Sequence, residues 1–172
     1  MELEKYVESI VDFPKKGIIF RDVTPILQNG EAFSYVIDKF AEFAQSVGAN
    51  VILGPEARGF IFGCPIAYKL NIGFVPARKP GKLPRETISA EYGLEYGVDT
   101  ICIHKDALKK GDKVLIVDDL LATGGTAGAC IELCKKLGAE VVGFACVIEL
   151  PELKGKEKLN TNVYSLLSYE GE

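Results

Sequence analysis

Four branched apolar residues, Val114 to Val117 (VLIV), run straight into Asp118 and Asp119 and then into the small-residue loop Ala122, Thr123, Gly124, Gly125, Thr126. Helically spaced apolar residues follow at Ile131, Leu133, Cys134 and Leu137. A continuous β-branched run bounded by turn residues reads as a strand buried on both faces, which makes the loop a strand-to-helix turn. A strand of that kind belongs in a sheet covered by helices on either side, so the fold class is α/β.

Such a turn has chemical consequences. The first N–H groups of a helix lack intrahelical partners and welcome an anion. Gly124 and Gly125 let a ligand approach the backbone with no Cβ in the way, and the hydroxyls of Thr123 and Thr126 can donate to the same oxygens. The loop therefore suits a phosphate monoester. The carboxylates of Asp118 and Asp119 only accept hydrogen bonds, which fits them to sugar hydroxyls and to ordering a hydrated Mg2+. A phosphorylated sugar satisfies both halves. No lysine follows the glycines as a nucleoside triphosphatase loop would require.

Strand and helix patterns alternate along the rest of the chain. Glu2 to Val11 reads as a short helix and Asp12 to Leu27 as an extended, turn-rich segment broken by Pro14, Gly17 and Pro25. A helix is expected over Glu31 to Val47, where Phe33, Val36, Ile37, Phe40, Phe43 and Val47 recur at helical spacing. Strands are expected at Val51 to Leu53, Ile72 to Val75, Val114 to Val117 and Glu140 to Val147, with helices at Gly59 to Leu70 and Gly125 to Leu137. This order gives a mostly parallel sheet flanked by helices, whose ligands collect beyond the carboxyl ends of the strands. Three strands deliver unusual loops to that edge: GPEARGF, PARKPGKLP and DDLLATGGT. From Arg78 to Gly97 the chain is polar and carries glycine and proline before Thr100 to His104 alternates back into a strand. This insert is a hairpin or a mobile lid, and the lid is the preferred reading.

Composition narrows the function. With 172 residues, 48% of them hydrophobic and 26% charged, the chain has the size of one domain with a real core. A net charge of −4 and a pI near 5.2 argue against nucleic-acid binding. The N-terminal residues do not read as a secretory signal, and the longest apolar stretch, Val141 to Leu150, is too short to span a bilayer. Five cysteines without C-x-x-C spacing, most of them inside apolar runs, read as reduced core thiols, and the expectation is a soluble cytoplasmic protein. The single histidine, His104, has no companion at metal-ligand spacing, which argues against structural zinc.

The remaining loops each admit a plain reading and a functional one. Arg58 opens a helix, where a cation is disfavoured unless an anion shares the site. Arg78, Lys79, Lys82 and Arg85 are either solvated loop charges or an anion-binding cluster. The stretch Ser89 to Gly97 holds two Glu-Tyr-Gly triplets, Glu91-Tyr92 and Glu95-Tyr96, between which the residues alone do not choose. Ile19, Phe20 and Arg21 form either a buried strand or an aromatic platform flanked by main-chain donors and acceptors.

The string VLIVDDLLATGGT resembles the phosphoribosyl diphosphate (PRPP) binding motif of the type I phosphoribosyltransferases, and its LLATGGT portion resembles the adenine-specific branch of that family. The resemblance runs from about Asp12 to Ser168. It implies a single domain over 1–172 with a Rossmann-like core, residues 1–30 as a small N-terminal hood and 78–98 as a flexible lid. The implied activity is transfer of a 5-phosphoribosyl group from PRPP to adenine, giving AMP and diphosphate. In that setting Ala122 to Thr126 hold the 5′-phosphate, and Asp118 and Asp119 hold the ribose. Arg58, Arg78, Lys79, Lys82 and Tyr96 face the diphosphate, and Ile19, Phe20 and Arg21 face the base. RKPGKLP resembles the family's RKxGKLP, with Pro80 as a departure that stiffens the lid. The turn around Arg58 resembles the family's pyrophosphate loop, where the Glu56-Ala57 peptide is expected to be cis. LEYG matches the position of a base-proximal glutamate, which selects Glu95 as the proton-handling group beside Arg58. The family further implies Mg2+, held mainly by PRPP, diphosphate and water, and a homodimer. Rivals within reach are an enzyme of the same fold acting on a 6-oxopurine and a non-catalytic PRPP-sensing regulator.

Overall fold

The computed structural model describes residues 1–94 and 97–170. Its centre is a five-stranded sheet in the order β4-β3-β7-β8-β9, every neighbouring pair parallel. The strands are β3 (Val51–Pro55), β4 (Gly73–Ala77), β7 (Lys113–Leu121), β8 (Glu140–Glu149) and β9 (Val163–Ser168). Residues alternate between the two faces of each strand, as the pleat requires. Leu53, Val114, Ile116 and Cys146 pack with helix α4 (Gly125–Lys136) and α5 (Gly155–Leu159). Ile52, Leu115, Val117 and Ala145 pack with α1 (Thr24–Gln28), α2 (Gly30–Ser46) and α3 (Arg58–Leu70) on the opposite side. Because both faces are covered, the central strands read as unbroken apolar runs.

The six central elements expected from the sequence lie where they were placed, to within a few residues at their ends. The N-terminus differs. In place of one helix over Glu2 to Val11, a single turn of 3-10 helix at Leu3–Tyr6 leads into strand β1 (Glu8–Val11), which pairs antiparallel with β2 (Ile19–Asp22). All four β1 residues are exposed, so their apolar members carry no helical period to read. Strand β9 was not expected either. It is held by β8 on one side and by the ring of Tyr164 stacked on Phe43 of α2, with centroids 4.9 Å apart.

The segment after β4 folds as an antiparallel hairpin of β5 (Thr87–Leu94) and β6 (Gly97–His104). Ala90, Ile101 and Ile103 enter the core on the α4 side, and Arg78 and Cys102 exchange main-chain hydrogen bonds that tie the hairpin to the end of β4. Four of the five cysteines are buried as expected; Cys64, on the outer side of α3, is exposed.

Candidate active site

The sheet order reverses direction between β3 and β7, which sends the loops beyond those two strands to opposite sides of a crevice. Open α/β sheets bind their ligands at such switch points. A cleft of about 380 Å³ opens there. It is lined by Ile18 to Arg21 from β2 and its approach, Arg58 at the start of α3, Tyr92 and Gly93 of β5, the run from Asp118 to Ala127, Phe144 and Leu150.

The floor of the cleft is the turn from β7 into α4. Gly124 sits at the N-terminal boundary of α4 with φ of 87°, a left-handed conformation that a side chain would strain. Among the described residues no side chain caps this helix, so its first N–H groups face the ligand cleft unclaimed by a cap. The turn is braced from below by Gly155 of α5, where an added Cβ would lie 2.4 Å from the carbonyl oxygen of Ala122.

Asp119 is 7% exposed and accepts a hydrogen bond from Nε of Arg58 at 2.5 Å. This carboxylate raises the Arg58 guanidinium above its ordinary range and offsets the cost of a cation at a helix N-terminus. The main-chain N–H of Asp119 donates to Oδ1 of Asp118 at 2.8 Å. Burial first, and the neighbouring Asp119 second, push the Asp118 carboxyl well above the usual range. The two acids are thus unequal: Asp119, buried, is paired with a cation, whereas Asp118, half-buried, has no salt-bridge partner among the described residues.

The Glu56-Ala57 peptide in the preceding turn is cis. The Glu56 carboxylate receives the main-chain N–H of Lys79 at 2.8 Å and Nε of Arg78 at 3.1 Å, and the former is the main reason its pKa is lowered. Lys79 reaches Asp99 and the hydroxyl of Tyr92. Lys82 is exposed and has no ion-pair partner among the described residues. Arg85 pairs with Asp106 at 3.1 Å.

Of the residues singled out from the sequence, the cleft brings together Ile19, Phe20, Arg21, Arg58, Asp118, Asp119 and the whole loop Ala122 to Thr126. Arg78, Lys79 and Lys82 stand outside the cleft lining, with Arg78 and Lys79 engaged by carboxylates of the protein itself. Glu95 and Tyr96 lie outside the described residues. Phe20 is half-buried, with the edge of Phe13 against it at a centroid distance of 5.3 Å. The Arg21 guanidinium lies over the ring of Tyr169, just beyond β9, at 4.5 Å and donates to Ser9 of β1, so its side chain is committed between these two partners.

Eight lining residues were not singled out as site residues: Ile18, Tyr92, Gly93, Leu120, Leu121, Ala127, Phe144 and Leu150. Leu120 follows the acid pair directly, and its position between acids and loop was a usable signal. Tyr92 belongs to the triplet that was passed over; Ile88, Ala90 and Tyr92 share one face of β5 against the core, a period-2 pattern that marks this tyrosine as inward-facing. Gly93 had no distinguishing local context. The brace at Gly155, some thirty residues beyond the loop it supports, left no mark in the sequence.

Among the described residues, no three His, Cys, Asp or Glu side chains gather as a metal cage, and no helix is long and apolar enough to cross a membrane. The phosphoribosyl transferase domain model matches residues 23–170. The adenine phosphoribosyltransferase of Lactobacillus acidophilus is 56% identical over 172 residues, covering 99% of this chain and 98% of that one. The crystal structure of the Thermoanaerobacter pseudethanolicus adenine phosphoribosyltransferase superposes with a TM-score of 0.94 at 50% identity, covering 98% of each chain. The Saccharomyces cerevisiae enzyme, crystallised with an imino-altritol bisphosphate and adenine, gives 0.93 at 43% identity over 96% of this chain and 97% of that one. A switch-point cleft that joins an acid pair to a capless glycine turn, in a chain this similar along its length to those proteins, belongs to the adenine phosphoribosyltransferase family.

Proposed function

We propose that the cleft transfers the 5-phosphoribosyl group of PRPP to N9 of adenine, releasing AMP and diphosphate. The observation that carries this reading is the convergence on one cleft of the Asp118-Asp119 pair, the Ala122–Thr126 turn and Phe20. The adenine held in the yeast relative's crystal structure supports the choice of base.

The open N–H groups at the start of α4, with the hydroxyls of Thr123 and Thr126, receive the 5′-phosphate, while Asp118 and Asp119 accept from the ribose hydroxyls and fix C1′. Adenine stacks on Phe20, and main-chain groups of Ile19 and Arg21 read its edge. As the bond from C1′ to diphosphate breaks, positive charge grows on the ribose ring and N9 moves onto C1′. Arg58, Arg78, Lys79, Lys82 and Tyr96 stabilise the leaving diphosphate, and Glu95 handles the proton of the base. Holding both reactants in line supplies much of the acceleration, since little covalent work falls to the protein. Residues 78–98, acting as a lid over the hood of residues 1–30, exclude water that would otherwise hydrolyse the donor.

A hydrated Mg2+ would be held mainly by PRPP, diphosphate and water, and the acceptor oxygens of Asp118 and Asp119 would order its water shell. When bound, the ion neutralises diphosphate charge. Assembly as a homodimer, with the lid near the partner, and a cytoplasmic setting complete the reading. The test is incubation of the purified protein with labelled adenine, PRPP and Mg2+, in competition with hypoxanthine, guanine and xanthine. AMP is the expected product; preference for any other base overturns the proposal.

A further inference from the structure

The Lys79 ammonium is held by two groups of the hairpin. Asp99 of β6 takes it as an ion pair, and the Tyr92 hydroxyl of β5 lies 3.1 Å away. Tyr92 and Asp99 face each other in the hairpin register, and the Tyr92 hydroxyl donates to Oδ2 of Asp99 at 3.1 Å. The ammonium also sits 5.6 Å from the Tyr92 ring centroid. The same ring reaches the cleft: a Cβ added to Gly125, the first residue of α4, would lie 3.3 Å from its Cδ2. One tyrosine therefore touches both the anion-binding turn and the clamp on Lys79. The main chain of Lys79 is separately tethered to Glu56, two residues before Arg58, so the ammonium can change partners by a swing of its side chain alone. Aspartate is depleted in strands; at position 99 its carboxylate accepts the Tyr92 hydroxyl across the hairpin and the main-chain N–H of Thr100 at 2.8 Å.

We propose that Asp99, seated by Tyr92, is a positioning residue that stores the Lys79 ammonium in the ligand-free protein and yields it when diphosphate arrives. The inference rests on the reading that Lys79 contacts the leaving diphosphate. Lys79 and Asp99 keep side-chain exposures of 40% and 31%, so water weakens their pairing, and a ligand carrying several negative charges can displace the carboxylate. Asp99 thereby sets how tightly diphosphate is held, while a ligand without diphosphate is indifferent to it.

Calorimetric titration of magnesium diphosphate and, separately, of AMP into wild type, Asp99→Asn, Lys79→Ala and the double variant tests this. Asp99→Asn is expected to bind diphosphate about fivefold more tightly and AMP as wild type does. Lys79→Ala weakens diphosphate binding, and adding Asp99→Asn to it changes nothing further. Unchanged or weaker diphosphate binding in Asp99→Asn, with Lys79→Ala still weakened, overturns the clamp and leaves the Lys79 contact standing. Unchanged binding in Lys79→Ala removes Lys79 from the diphosphate site and the clamp with it. If AMP affinity shows Asp99→Asn to be misfolded, Asp99→Ser replaces it under the same criteria.

Discussion

Asp118 and Asp119 are sequence neighbours with opposite electrostatic fates. Asp119 is buried and gains the Arg58 guanidinium; Asp118 is half-buried, gains one N–H bond and has no salt-bridge partner among the described residues. A carboxyl whose pKa is raised on folding favours the protonated form. Its contribution to stability is full below the ordinary aspartate range and is lost as pH rises through the higher folded value. Ionising Asp118 therefore burdens the ligand-free protein. Asp118→Asn should raise the Tm of the ligand-free protein at pH 7.5 relative to wild type, with the gain shrinking toward pH 4. The same variant should bind PRPP about tenfold more weakly, the scale of one hydrogen bond to a charged group. Thermal unfolding across pH, together with PRPP titration, checks both halves; a lower Tm at pH 7.5 would contradict the inequality of the two acids.

The turn from β7 to α4 is an element whose shape depends on a second one. Gly124 supplies the left-handed residue, and Gly155 of α5 lets the two backbones meet, with an added Cβ lying 3.1 Å from the Gly124 nitrogen as well as against Ala122. Gly155→Ala has nowhere to place its methyl group without moving backbone. The expected cost is about 1 to 3 kcal/mol of stability, the range for overpacking a tight site. AMP affinity should fall more than adenine affinity, because the displaced turn is the part proposed to hold phosphate. Denaturant unfolding with paired AMP and adenine titrations measures this, and equal losses for the two ligands would separate α5 from the turn. The loop itself was legible in the sequence because glycine, threonine and acid residues lie within a dozen positions. Its brace was not, because a lone glycine in a short helix looks the same whether it faces solvent or another backbone.

Across the whole molecule, the apolar runs of β3, β7 and β8 are covered on both faces, which buries Cys130, Cys134 and Cys146 as thiols that ionise reluctantly, Cys134 being raised to about 12. Only thiolates react readily with disulfide reagents. Exposure to such a reagent should modify Cys64 alone in the native protein and all five cysteines after unfolding; more than one native modification would show that the core opens. The sequence by itself determined the alternation of strands and helices, the parallel sheet and the glycine turn from β7 into α4, because periodicity and turn chemistry are written over a few consecutive residues. It did not determine the pairing of exposed β1 with half-buried β2, nor which lysine or arginine meets which carboxylate. Arg58 with Asp119, Arg78 with Glu56 and Lys79 with Asp99 are pairs made across separate elements. Only the packing of the sheet, by setting β3 beside both β4 and β7 and laying the hairpin against α4, brings those charges together.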